Sequence, residues 1–223
     1  MLLEISLLTF QVAIVATAIN FPFAILVGWL IGRKNIRGSM FLEILVSLPL
    51  ALPPVVVGYA LLIAFGERGP IGSLTSSLFG YELVFTWFAA AIAAAIVSFP
   101  LMVRSIIVSM SSIDDQLENS ARALGAGPVR TFLTFTFPLS YLGLIAGLLL
   151  GFVRSLSEFG ATIIVAGNIP GRTQTLPLAL FSKIQLGENG EAVRLMIACI
   201  VLAIITLGVH HFLLSKSNVK TSK

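Results

Sequence analysis

The chain has 223 residues, 57% of them hydrophobic and only 11% charged, whereas a soluble domain carries about 25% charged residues. That much apolar side chain cannot be hidden inside one soluble core of this size, which excludes an ordinary water-soluble enzyme and leaves lipid as the natural solvent. The excess of basic over acidic residues, 14 against 10, then reads as a bias toward one membrane face and not as a nucleic-acid surface, and a lone cysteine, Cys199, excludes an internal disulfide and a cysteine-rich metal site.

Five apolar stretches are long enough to cross a bilayer, which takes about 20 residues. They are read as helices, because an isolated strand cannot satisfy its backbone in hydrocarbon. The first, 7–31, has no basic segment ahead of it and is followed by four more, so it reads as a retained span and not a cleaved leader. Gly28 and Gly32 mark one of its faces for close helix packing. Arg33, Lys34 and Arg37 fill the next loop with no acid beside them. This places that loop in the cytoplasm and the N-terminus outside. The second stretch, 44–65, carries Pro53-Pro54 at its middle, where each proline removes a backbone hydrogen bond and invites a break. The third is 83–103.

The segment 112–127 then reads as a short amphipathic helix on the cytoplasmic side. Asp114 or Ser112 can cap it, and Asp114, Asp115 and Glu118 suit the positive end of its dipole. Leu117, Ala121 and Leu124 fall on one stripe, and Gly125 and Gly127-Pro128 end it. Anionic lipid would repel its acidic first half, so it reads as a contact for a protein partner.

The fourth stretch, 131–153, repeats glycine at Gly143, Gly147 and Gly151, one helix face suited to close packing within the chain or, alternatively, to a dimer contact. The outer segment 154–190 comes next. Arg154 and Glu158 lie four apart and form a pair, either a gate on an anion path or a structural brace. Two apolar pieces, 159–166 and 176–184, are too short to cross and flank a turn at Asn168-Ile169-Pro170-Gly171. They are expected as two short helices dipping toward a pore from outside; a sixth full span is the alternative. Asn168, Arg172, Thr173, Gln174 and Thr175 offer donors on the outer side that either meet an anion or sit in a solvated loop that touches another protein. The fifth stretch, 195–215, leads to Lys216, Lys220 and Lys223, which place the C-terminus inside. His210-His211 reads as an interfacial pair and not a metal site.

No engine is visible. Gly167–Thr173 has three residues between its glycines where a phosphate-binding loop has four, and Arg172 where such a loop has lysine. Motifs for an intramembrane protease are absent as well. No cofactor is expected in this chain.

Asn119-Ser120-Ala121, Gly125 and Phe135-Thr136-Phe137-Pro138 have the spacing of a motif found in the membrane subunits of binding-protein-dependent ABC importers: Glu-Ala-Ala, three residues, Gly, nine residues, Ile-x-Leu-Pro. Ala121, Gly125 and Pro138 match in identity. Asn119 stands where the motif has its acid, with Glu118 one residue earlier. The segments Leu52-Pro53-Pro54-Val55-Val56-Val57-Gly58, Ser157-Glu158-Phe159-Gly160-Ala161-Thr162 and Gly167-Asn168-Ile169-Pro170-Gly171-Arg172 resemble the molybdate branch of that family, with tungstate and sulfate permeases as the neighbouring alternatives. The resemblance implies an all-α integral membrane protein with the type I ABC importer permease fold and five, alternatively six, spans. It implies a permease homodimer in the cytoplasmic membrane, an ATPase dimer on its cytoplasmic face and an extracytoplasmic oxyanion-binding protein. ATPase coupling would then fall to Glu118, Asn119, Ser120, Ala121, Gly125, Ala126 and Gly127. The pore or gate candidates are Pro53, Pro54, Arg154, Glu158, Asn168, Arg172 and Thr173.

Overall fold

The structure, a computed structural model, describes residues 2–33 and 38–218; the orienting basic residues Lys34, Arg37, Lys220 and Lys223 lie outside them. It is built from helices: α1 (Leu2–Arg33), α2 (Ser39–Ala51), α3 (Pro54–Phe65), α4 (Pro70–Phe79), α5 (Trp87–Ser111), α6 (Asp115–Ala123), α7 (Pro128–Thr131), a π-helical turn (Phe132–Thr136), α8 (Phe137–Leu139), α9 (Tyr141–Leu156), α10 (Gly160–Val165), α11 (Leu176–Gln185) and α12 (Asn189–Asn218). Among the described residues α1, α5 and α12 are long and apolar enough to cross a membrane, and two bent pairs raise the number to five.

The core is built around α5. Its alanine-rich first half is buried, with Ala89, Ala90, Ala91 and Ala93 fully so. Small side chains let α1 and α9 approach it closely from two sides. The glycine stripe of α9 provides the fit: a Cβ on Gly143 would collide with the Ser109 side chain, and one on Gly151 with the Met102 side chain. That stripe is used within the chain. At the middle of the bundle the Asn20 side-chain amide donates to the Ala95 carbonyl at 2.7 Å and to Ser98 Oγ at 3.1 Å, and Ser155 donates to the same serine at 3.0 Å. These buried groups join α1, α5 and α9 where hydrocarbon offers them no other partner.

The second stretch is broken. Leu52 and Pro53 are both extended, at φ −84°, ψ 144° and φ −55°, ψ 133°, because a residue ahead of proline is kept out of the helical region. Pro54 then opens α3, and α2 and α3 meet at 105°. The expected third stretch, 83–103, is displaced to Trp87–Ser111. Thr86 caps α5 by accepting the Ala89 amide at 3.1 Å, and Phe85 ahead of it takes a left-handed φ of 58° with its own amide bonded to the Val165 carbonyl at 3.0 Å. The fourth stretch bends by 72° around Ser140. Pro138 lacks an amide, and the loosened backbone before it winds as the π-helical turn.

Two contacts fix the ends of the bundle along α1. Arg33, in its last turn, touches α6, while Thr9 near its start accepts the Leu176 amide that opens α11, at 2.9 Å. At 1.5 Å per residue these points are about 36 Å apart, close to the thickness of a bilayer's hydrocarbon core. α6 and the α10–α11 region thus lie at opposite ends of the first helix. α12 packs on α9 and α11 with most of its surface exposed.

Candidate functional site

The helix expected over 112–127 is shorter. Ser112 terminates α5, and α6 runs from Asp115 to Ala123, with Asp114 capping it by accepting the Gln116 amide at 2.9 Å. Its end is a Schellman motif. The Ala126 amide bonds to the Ala121 carbonyl at 3.0 Å and the Gly125 amide to the Arg122 carbonyl at 2.9 Å, with Gly125 at φ 84°. A Cβ on Gly125 would meet nothing within 4 Å. The demand for glycine here comes from the backbone angle and not from space. Gly127 opens α7, and Ala126 is half-buried beside Ala121.

The expected apolar stripe is divided. Only Ala121 turns inward, while Leu117 is exposed and Leu124 is 90% exposed. Asn119 and Ser120 also face outward. α6 thus presents two leucines and two small polar side chains to its surroundings.

Glu118 does the opposite. Its position one residue before the motif groups it with the expected coupling contacts, but it is buried and its carboxylate is spent inside the chain. Oε1 accepts from Arg33 Nε at 2.9 Å and from the Thr136 hydroxyl at 2.5 Å, and Oε2 accepts from Arg122 at 3.2 Å. Burial by itself would raise this carboxyl's pKa. The hydrogen bonds from Thr136 and Arg33, with the charges of Arg33 and Arg122, outweigh it and hold the group below its ordinary value. The Arg33 guanidinium is itself buried and also donates to the Ile113 carbonyl at 2.7 Å, with exposed Asp115 at 2.8 Å. Neither Arg33 nor Thr136 stands out from the sequence as a partner of Glu118. The available signal was an acid on the inward side of a short amphipathic helix, which requires a cation from a neighbouring element.

At the other end the Arg154–Glu158 pair forms at 2.9 Å. Glu158 is buried, and its second oxygen accepts the Ala161 amide at 2.9 Å, so the carboxylate also caps α10. This geometry is that of a brace between α9 and α10. α10 packs on α3 across two glycines. A Cβ on Gly58 would meet the Ala161 carbonyl at 2.6 Å, and one on Gly160 would meet Pro54 at 2.9 Å. Pro54 is therefore half-buried in this contact, while Pro53 is exposed at the corner.

The turn after α10 is tied to itself. Asn168 donates to Ser182 Oγ at 2.6 Å and accepts from Gln174 at 3.0 Å, and Thr173, fully buried, accepts the Ile169 amide at 3.0 Å. Asn168 and Thr173 thus shape the turn and do not present free donors to a cargo. Arg172 alone of this group projects outward. It borders a cleft of about 470 Å³ together with Leu8, Gln11, Thr86, Trp87 and Gly171. The described residues include no cluster of three His, Cys, Asp or Glu side chains that could hold a metal.

Residues 24–216 match the family model described as the binding-protein-dependent transport system inner membrane component. The chain is 47% identical over 201 residues to the molybdenum transport system permease protein ModB of Haemophilus influenzae, covering 90% of this chain and 88% of that protein. It is 47% identical over 209 residues to the protein of the same name from Escherichia coli K12, covering 93% and 91%. Its fold is similar to a chain in the crystal structure of a bacterial ABC transporter involved in import of the acidic polysaccharide alginate, with a TM-score of 0.73 at 16% identity over 99% of this chain and 80% of that one.

Proposed function

Since the chain belongs to the family of inner membrane components of binding-protein-dependent transport systems, we propose that it is the pore-forming permease subunit of an ATP-driven importer that carries molybdate across the cytoplasmic membrane. The observation that carries the cargo assignment is the 47% identity to molybdenum permeases over nearly the whole chain. Tungstate and sulfate are the competing cargoes, and a dianion makes the need for energy plain. Moving one charge against an inside-negative potential costs about 2.3 kcal/mol per 100 mV, and the chain carries no phosphate-binding loop of its own.

The ATPase subunit, with its ATP and magnesium, docks on α6. The outward Leu117, Asn119, Ser120 and Leu124 make the contact, while Gly125, Ala126 and Gly127 shape the helix end. A second copy of this chain completes the path, because one bundle of up to five spans is too thin to enclose a path alone. An extracytoplasmic oxyanion-binding protein meets the end that bears Arg172. Basic residues clustered after α1 and at the C-terminal tail put α6 in the cytoplasm and the N-terminus outside. The exposed corner at Pro53 and the exposed Arg172 are the pore candidates this reading retains. The test is uptake by vesicles holding the reconstituted permease, ATPase and binding protein, with labelled molybdate competed by unlabelled molybdate, tungstate or sulfate. Molybdate should compete at the lowest concentration. Sulfate competing first would transfer the assignment to the sulfate branch.

A further inference from the structure

We propose that Glu118 is a positioning residue that converts a displacement of α6 into one joint motion of two spans. The inference rests on α6 being the docking helix for the ATPase. Its own support is the geometry around one carboxylate. Glu118 Oε1 receives two donors at once, Arg33 Nε from the last turn of α1 and the Thr136 hydroxyl from the π-helical turn. The partners lie 85 and 18 residues away in sequence, so the bond set is tertiary and does not serve to form α6. Asp114 and the Schellman end already terminate that helix at both ends.

The location of the two partners gives the contact its role. Arg33 ends a helix that runs unbroken back to Leu2. Thr136 closes the π-helical turn, and its carbonyl receives the Ser140 hydroxyl at 2.7 Å where the chain bends toward α9. A push on the outward leucines of α6 therefore reaches a straight rod through Arg33 and a hinge through Thr136. A π-helical turn has one residue more per hydrogen-bonded ring than an α-helix, and tightening or extending it swings α8 and α9. A bond set serving stability alone would be expected to satisfy every donor. Instead Arg33 Nη2 is buried with no hydrogen-bond partner among the described residues, a costly arrangement in a site otherwise saturated with bonds.

The experiment uses the full reconstituted complex and reads molybdate uptake and ATP hydrolysis in the same vesicles. Thr136→Val keeps the shape and removes the donor. The uptake per ATP hydrolysed should fall by roughly tenfold, the weight of one charge-assisted hydrogen bond, while the ATPase stays bound. Thr136→Ser should restore the ratio. An unchanged ratio in Thr136→Val, or a fall in uptake and hydrolysis by the same factor, overturns the proposal. If Thr136→Val does not assemble, Glu118→Gln, which keeps the acceptor for Thr136 but removes the charge facing Arg33, carries the same test. Spin labels at Gln116→Cys and Tyr141→Cys, in a Cys199→Ser background, supply a second readout. Their distance distribution should broaden in either variant, and an unaltered distribution overturns the clamp. The underlying docking assignment is checked separately. Leu124→Asp should release the ATPase, and an ATPase that stays bound removes that assignment itself.

Discussion

Two buried glutamates, Glu118 and Glu158, are each held by an arginine, and they teach different lessons. Glu158 is assembled locally: its arginine is one helical turn back at 2.9 Å and its amide partner three residues ahead. Glu118 is assembled across the fold, with a donor from α1, one from the π-helical turn and a third from its own helix. Burial is similar, but the first carboxylate staples neighbours in sequence and the second ties together elements that meet only after folding.

The strongest test of this contrast is truncation. Glu118→Ala should lower stability by about 3 kcal/mol, because it leaves the buried Arg33 guanidinium with only the exposed Asp115 carboxylate as a counter-charge, read as a lower midpoint in thermal unfolding of the detergent-solubilised protein. Arg154→Ala should cost less, about 1–3 kcal/mol, because its side chain is a quarter exposed and partly screened. Equal losses would erase the distinction. Charge exchange sharpens it further. Exchanging Arg154 and Glu158 together should recover most of either single loss, leaving about 1 kcal/mol for the missing α10 cap. The same exchange of Arg33 and Glu118 should recover little, since Thr136 would face a guanidinium and the Ile113 carbonyl a carboxylate. Gly125→Val should destabilise the α6 end by about 1–2 kcal/mol, and Gly125→Asn by less, because a left-handed backbone is required there and no space is lacking. Comparing ATPase binding by the two variants would check this.

The smallest effect is that of pH. The Glu118 carboxyl lies below its ordinary value in the folded protein, so its contribution is complete above the unfolded value of about 4.3. It is lost as pH falls through the lower folded value. Stability of the α6 end should therefore be flat in this group from pH 5 to 8, and a titration in that window would show the clamp to be built differently.

The same contrast explains how much could be read from residues alone. Signals that depend on near neighbours have counterparts in the structure: helices under the apolar stretches, one of them displaced and two bent, two short helices around the Asn168–Gly171 turn, and the i,i+4 pair of Arg154 and Glu158. Leu117 and Leu124 were legible as one stripe, but not the side toward which it faces, because a helix that docks on a partner and one that docks on its own bundle share a pattern. Arg33 was legible as a charge that orients a span, and its second use, as the partner of an acid 85 residues on, leaves no periodicity to detect. The break at Leu52-Pro53 was anticipated from its prolines. Its 105° angle goes with α10 packed close to Gly58, a tertiary arrangement that no local pattern encodes. Asn168 and Thr173 look like free donors in a polar turn, and only the folded turn shows them occupied.

The hydrogen-bonded knot of Asn20, Ser98 and Ser155 limits how such a protein can work. Severing it would leave buried polar side chains unpaired, so the three helices it joins behave as a stiff tripod. In the proposed transport role, alternating exposure of a path would come from tilting the tripod whole and flexing the joints at Leu52 and Ser140, not from sliding one leg past another. Amide hydrogen exchange along the three legs should accordingly stay slow throughout a turnover cycle while the two joints exchange quickly.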